Sequence, residues 1–320
     1  MNYKPILIVP GEPNSIFFEI FFKSLTTYKT KSPIIIISSQ KIIELHMKKL
    51  KYKFKINLLD KSTLFKYKLN NKEINLIEVN CDPPINFKKI SIKSKKYINN
   101  CFKIAFKLLE KKFTNKFING PISKKFFLNK KHLGITEFIA NYFNIKNFAM
   151  LIYNKNFSVS PITTHVPLKY VSKKINMYSI IKKIELIDNF YKFFLKRKVK
   201  IAVSGLNPHC ESVSRYNEDQ KIISPSIKYL QKKGIDIQGP FAADTLFLKD
   251  NRKKYDVIIG MYHDQVLTPI KTLFEFDAIN ITLGLPFIRV SPDHGPNENM
   301  VGKNLSNPTS LIRSLQFLDN

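Results

Sequence analysis

Short runs of β-branched and aliphatic residues recur along this chain and alternate with longer segments whose apolar positions return every three or four residues. That alternation predicts an α/β architecture. Strands are expected at KPILIV, PIIIIS, INLIEV, FAMLIY, FSVSPITT, KIAVSG, YDVIIGMY and INITLG. Helices are expected at SIFFEIFFKSL, across SIKSKKYINNCFKIAFKLLEKKF, along YVSKKINMYSIIKKIELIDNFYKFFLK, and at DQKIISPSIKYLQKKG. KFING leads into PISKKFFLN. There is no repeat at a fixed period and no Gly/Ser-rich or Pro-rich linker, so any division into domains runs through continuous strands.

With 320 residues, of which 44% are hydrophobic, the chain has material for one large or two medium α/β domains. Its longest apolar runs, such as PIIIISS and DVIIGMY, have strand length and fall far short of a membrane span. The opening MNYKPILIVPGEP carries an apolar run too short for a signal-peptide core and reads as a first strand. Cys81, Cys101 and Cys210 leave an odd count without CxxC spacing, which argues for a reducing compartment and a cytoplasmic location.

A formal charge of +29 raises nucleic-acid binding as a competing function. The charge is nearly all lysine, with only five arginines: Arg197, Arg215, Arg252, Arg289 and Arg313. Lysine spread from end to end makes a solvated surface, and the scarcity of the bidentate phosphate-binding residue weakens the nucleic-acid reading. Accordingly neither nucleic acid nor membrane is expected as a partner. No two of the ten glycines are separated by a single residue, so GxGxxG cannot occur; a P-loop, HExxH and GxSxG are absent too.

Three of the six histidines share one context: His165 ends FSVSPITTH, His209 ends KIAVSGLNPH, and His263 ends DVIIGMYH. Ligands of open α/β sheets sit at the carboxyl ends of strands. A single histidine there is ordinarily a turn or core residue. Three imidazoles delivered from separate strands make a candidate divalent-metal site with an open coordination position. His46 and His132, flanked by lysines, are expected at the surface. Lys271, eight residues beyond His263, and Asn280 and Arg289, bracketing NITLGLPFIR, suit a phosphate or carboxylate substrate, against the plainer reading of surface ion pairs.

GPISK, TEF, TTHVPL, SGLNPH, GPFAADTLF, YHDQ, NITLGLPFIR and DHG, in this order, resemble the 4-hydroxythreonine-4-phosphate dehydrogenase family of pyridoxal-phosphate biosynthesis. YHDQ and NITLGLPFIR are long and specific; GEP and GPISK are weak alone. The resemblance implies two α/β/α subdomains with a central cleft, as in isocitrate and isopropylmalate dehydrogenases. We expect residues 1–130 plus 275–320 to form the first subdomain, and 131–274 to form the second, bearing the histidines. A homodimer with its active site at the dimer interface is implied as well.

The implied reaction is NAD- or NADP-linked oxidation and decarboxylation of 4-phosphooxy-L-threonine to 3-amino-2-oxopropyl phosphate. It requires a divalent metal ion (Zn, Mg or Co), with His165, His209 and His263 matching the family's ligands. Thr136, Lys271, Asn280 and Arg289 match its substrate contacts, and Lys271 is also expected near the chemistry. Asp244, in AADT, and Asp264 are expected either to orient a metal-bound histidine or the substrate ammonium, or to cap helices. Asp293, His294 and Gly295 fall where relatives help to cradle the cofactor.

Departures from the pattern are local. The family's GHTEF reads GITEF, placing Ile135 at the position of a substrate-contacting histidine. GEPNSIFFE replaces a glycine-rich opening, CESVSRYNEDQ lacks glycine, and DHGPNENMVG replaces DHGTALDxAG. A related dehydrogenase of another phosphorylated hydroxy acid, or a catalytically weakened homologue, is the alternative.

Overall fold

Residues 3–64, 69–81, 89–128, 132–211 and 216–319 are described by the computed structural model of the chain. They divide into two compact units, residues 1–139 with 286–320 and residues 140–285.

The first unit begins β1 (Ile6–Val9), α1 (Phe17–Thr27), β2 (Ile34–Ser38), α2 (Gln40–Leu50), β3 (Ile56–Leu58) and β4 (Ile74–Glu78). It continues with α3 (Lys95–Glu110), β5 (Lys116–Asn119) and the start of α4 (Ile135–Tyr142). The chain returns to it for β12 (Ile288–Pro292) and α11 (Thr309–Leu318). Its strands are ordered β3-β4-β2-β1-β5-β12, and every pairing is parallel. A parallel sheet is covered on both faces, which is why ILIV and the four isoleucines of IIIIS are apolar in sequence and both strands are buried throughout. Phe17, Phe18, Phe21 and Phe22 of α1 and Phe102 and Phe106 of α3 are all buried. Each such ring contributes about 1.5–3 kcal/mol on leaving water.

In the second unit lie β6 (Ala149–Tyr153), β7 (Ser158–Thr163), α5 (Val171–Lys174), α6 (Met177–Asn189) and β8 (Ile201–Ser204). There follow α7 (Ser224–Lys232), β9 (Ile237–Phe241), α8 (Ala243–Leu246), α9 (Lys249–Arg252), β10 (Val257–Tyr262), α10 (His263–Phe274) and β11 (Ile279–Leu283). The strand order is β11-β6-β7-β10-β8-β9. Pairing is antiparallel between β11, β6 and β7, and parallel from β7 through β10 and β8 to β9. Met150, Ile152, Phe157, Val159, Ala202 and Ile258 pack with Val266 and Ile270 of α10 in its core.

The strand runs fall where the apolar pattern places them, but three expectations are corrected. The long helix expected from residue 170 to 196 is interrupted: Asn176 is extended and forms a capping box with Ser179, so α5 stops and α6 starts afresh. His46 lies on a helix as expected, yet it is buried rather than on the surface. Its ring stacks on Phe18 at 4.6 Å, and its Nε2–H donates to the Pro13 carbonyl at 2.9 Å. His132, also expected at the surface, is half-buried with its ring edge-on to Phe138. β3, β5, β9 and β12 are strands that the apolar pattern did not announce. Part of CESVSRYNEDQ, residues 212–215, lies outside the described residues.

Burial drives the His46 pKa down from 6.5 to about 4, against the favourable effects of the Pro13 carbonyl and Glu19. Between those values the folded protein binds fewer protons than the unfolded chain. This group's contribution is therefore whole above pH 6.5 and is lost as pH falls toward 4, by about 3 kcal/mol. Glu12, whose burial raises its pKa to about 6, acts in the opposite sense over part of this range. The informative quantity is thus the difference between parent and His46→Phe in urea unfolding. The variant should be less stable at neutral pH by about 1–3 kcal/mol, with the Pro13 carbonyl left unpaired, and the gap should close as pH approaches 4. A constant gap would show that His46 does not titrate on unfolding.

Candidate functional site

Parallel pairing decides where the three strand-end histidines go. β10 pairs with β7 on one side and β8 on the other, Tyr262 standing opposite Thr163 and Ile259 opposite Val203. All three strands point the same way. The residues that follow them, His165, His263 and His209, therefore emerge along one edge of the second unit's sheet. The rings of His165 and His263 stand 5.7 Å apart between centroids. Thr163 Oγ–H donates to the Met261 carbonyl at 2.7 Å and ties the ends of β7 and β10 together.

His263 is the first residue of α10, where the extended strand turns into helix at Tyr262. Its Nδ1 lies 2.6 Å from Asp264 Oδ1. Such a carboxylate contact on one ring nitrogen fixes ring orientation in metal-binding histidines. His209 occupies a short 3₁₀ turn with φ 54 and ψ 16, and Cys210 follows at φ 61. Among the described residues, no group of three or more His, Cys, Asp or Glu side chains gathers tightly enough to hold a metal ion. The structure thus joins His165 with His263 and carries His209 to the same sheet edge without drawing it into their pair. Paired imidazoles, one braced by a carboxylate, are donors that fit a divalent cation of intermediate softness.

Lys271 lies in the last turn of the helix that His263 opens, about 12 Å further along its axis. Asn280 sits on β11 opposite Ile152, and its side-chain oxygen is buried without a hydrogen-bond partner. Asp244 is exposed in the first turn of α8 and accepts from the Thr245 N–H at 2.9 Å, the behaviour of a helix-end carboxylate. Its field also reaches the Cys210 thiol, one residue beyond His209, and helps to raise that thiol's pKa after burial and Asp219.

The first unit holds the second constellation. Arg289 lies in β12 and is fully buried. Its Nε–H donates to Asn119 Oδ1 at 2.7 Å, and its Nη1–H donates to Thr136 Oγ1 at 3.1 Å. Desolvation lowers its pKa to about 10, outweighing the favourable field of Glu137. The guanidinium is protonated at neutral pH all the same. Ile135 opens α4 beside Thr136 and is half-buried. Asp293, His294 and Gly295 follow β12: the Asp293 N–H donates to Ser310 Oγ at 2.6 Å, and His294 Nδ1 lies 2.9 Å from the Gly295 carbonyl.

Two loops at the carboxyl ends of β1 and β5 touch backbone to backbone. A Cβ at Gly11, where φ is 79, would lie 2.1 Å from the Pro121 carbonyl oxygen, and one at Gly120 would lie 2.0 Å from that of Pro10. GEP and GPIS are therefore two halves of one contact. Glu12 is buried beneath it, accepting from Ser94 Oγ–H at 2.8 Å and from the Ser123 N–H at 3.2 Å.

Asn119, Asp219 and Gln265 escaped the sequence reading. Asn119 was visible only as the last letter before GPISK, and its role appears once β5 pairs with β12 and sets it against Arg289.

The family model described as pyridoxal phosphate biosynthetic protein PdxA matches residues 29–318. A 4-hydroxythreonine-4-phosphate dehydrogenase of Sulfurihydrogenibium sp. is 36% identical, over 98% of this chain and 96% of its own length. One from Aquifex aeolicus is 30% identical, over 99% of this chain and 98% of its own. The crystal structure of 4-hydroxythreonine-4-phosphate dehydrogenase from Klebsiella pneumoniae superposes with a TM-score of 0.84 at 25% identity, covering 99% of this chain and 97% of that one.

Arg289→Lys keeps the charge and loses the two directed hydrogen bonds to Asn119 and Thr136. It should destabilise the protein by about 1–3 kcal/mol in urea unfolding. An unchanged midpoint would show that the fork geometry contributes nothing to the fold.

Proposed function

The chain belongs to the PdxA family of pyridoxal phosphate biosynthetic proteins, and on that premise we propose that it is an NAD- or NADP-linked dehydrogenase that oxidises and decarboxylates 4-phosphooxy-L-threonine to 3-amino-2-oxopropyl phosphate. The observation that supports this most is the delivery of three histidines to one edge of a sheet by adjacent parallel strands, in a chain matched to that family almost end to end.

His165, His209 and His263 are the residues we assign to a divalent metal, with zinc, magnesium and cobalt the candidates. When bound, the ion supplies Lewis acidity at the substrate oxygens through hydride loss and decarboxylation. The side chains do the rest. Asp264 holds the His263 ring in one orientation. Lys271 and Arg289 are cations for the phosphate and carboxylate of the substrate, and the phosphate, with the larger charge, is the natural partner of a desolvated guanidinium. The Thr136 hydroxyl, directed by Arg289, and the buried Asn280 oxygen set the donor and acceptor pattern for the remaining polar groups. We assign Asp244, on its match to the family's AADT segment, to the catalytic surroundings, and Asp293, His294 and Gly295 to the nicotinamide cofactor.

Ile135 can neither donate a hydrogen bond nor carry a proton where the family places a histidine. In this reading the chain works as a homodimer with the active site at the dimer interface, in the cytoplasm. No described helix is long and apolar enough to cross a membrane.

Purified protein given 4-phosphooxy-L-threonine, NAD and Zn²⁺, Mg²⁺ or Co²⁺ should produce NADH, and stripping the metal with a chelator should abolish it. No turnover with any of the three ions and either nicotinamide would sink the assignment. His263→Ala should lower kcat/KM by about 10²-fold or more and release metal; full metal content would remove His263 from the ligand set. Ile135→His should raise kcat/KM about tenfold or more, the worth of one buried polar contact. If it has no effect, position 135 plays no part in this chain's turnover.

A further inference from the structure

Asp219 has no place in the reading above, yet it is one of the most deeply buried carboxyl groups in the second unit, at 1% exposure. Its Oδ1 accepts from the Leu206 N–H at 2.7 Å, and its Oδ2 accepts from the Asn207 N–H at 3.1 Å and from Asn207 Nδ2–H at 2.8 Å. Leu206 and Asn207 lie in the loop that carries the chain from β8 to His209. The loop is drawn tightly over the carboxylate: a Cβ at Gly205 would lie 2.7 Å from Asp219 Oδ1 and 2.7 Å from Cys210 Sγ. Burying a carboxylate is expensive unless N–H donors converge on it, and here three do.

Gln265 braces the same loop from the other side. Its Nε2–H donates to the Gly205 carbonyl at 2.8 Å, while its Oε1 accepts from the Met261 N–H at 2.7 Å. One side chain thus ties the root of the His209 loop to the end of β10, next to His263. Beyond this root, His209 and Cys210 both hold left-handed backbone angles, φ 54 and φ 61. Side chains other than glycine pay for that region in conformational energy, and they keep it only where the surroundings over-determine it. Asp219 fixes the segment that leads into them.

We infer that Asp219 is a positioning residue for His209: it holds the 205–207 segment by three hydrogen bonds, so that the following turn presents the imidazole at the histidine-bearing edge of the sheet. The inference rests on the metal reading of His209 and extends it to a group that touches neither metal nor substrate. Gln265 is the second brace of the same loop.

The test is metal affinity, with stability measured separately. Asp219→Asn preserves shape and puts an NH₂ group where an oxygen accepted N–H donors; Asn207→Ala removes one of the three bonds and serves should the first variant not fold. Zn²⁺ affinity is read by competition with a chromophoric chelator, for each variant alone and combined with His209→Ala, and thermal unfolding is read without metal. Asp219→Asn should weaken zinc binding about 10–100-fold, the usual effect of removing a group that orients a ligand. Asn207→Ala should weaken it less. Neither should add to the loss caused by His209→Ala, because both act through that residue. The visible spectrum of Co²⁺-loaded Asp219→Asn should move toward that of His209→Ala. Parent-like zinc affinity in these variants, or losses that add in full to that of His209→Ala, overturns the inference while leaving the metal reading standing. If His209→Ala itself binds zinc as the parent does, the ligand assignment fails and the inference fails with it.

Discussion

Parallel pairing of β7, β10 and β8 is the constraint on which the candidate chemistry depends. Strands that run the same way end at the same edge, so residues far apart in sequence become neighbours there. The edge is then trimmed by short-range hydrogen bonds. Thr163 reaches the end of β10, Gln265 reaches the loop after β8, and Asp219 anchors that loop from beneath. The aliphatic cluster of Ile152, Val159, Ala202, Ile258 and Val266 keeps the strands in register. A slip of one residue would turn every side chain to the opposite face. It would also move Tyr262 away from Thr163 and change where each histidine emerges.

In the first unit the corresponding constraint is the cost of burying polar groups. Arg289, Glu12 and His46 are all buried among aliphatic and aromatic residues, and each pKa is displaced toward its neutral form by desolvation. The three resolve that cost differently. His46 stays neutral and satisfies one backbone carbonyl. Glu12 accepts from a serine hydroxyl and a backbone N–H, linking the segments that follow β1 and β5. Arg289 keeps its proton and directs it at an amide oxygen and a hydroxyl. A desolvated guanidinium makes its electrostatic interactions at low local dielectric, where they are stronger than in water.

Much of the architecture was legible as apolar runs, because parallel strands must be apolar on both faces and leave unbroken stretches such as ILIV and IIIIS. β12 escaped because Arg289, one residue from its start, puts a charge in a buried strand. β3 and β9 escaped because both are incompletely buried. The histidine edge was legible because all three imidazoles follow strand signals; their adjacency was not, since strand order is a tertiary fact. His46 misled because its flanking lysines mark the exposed face of α2, while the histidine lies on the opposite face with Ile42, Ile43 and Met47. Asp219 offered no signal at all. NEDQ before a helical run reads as an ordinary polar helix start, and only the folded loop shows that its carboxylate points back at residues 206 and 207.

Ile135 shows how a local departure can leave the surrounding frame intact. The side chain at position 135 does not set the direction of the Thr136 hydroxyl; Arg289 does, from β12, and Arg289 is held in turn by Asn119 on β5. Losing a polar side chain at 135 therefore removes one donor and leaves the neighbouring hydroxyl and guanidinium in place. An apolar residue also costs little there, since Ile135 is half-buried at the start of a helix and isoleucine leaves no unsatisfied polar atom behind. The fold is thus indifferent to whether that side chain is polar or apolar.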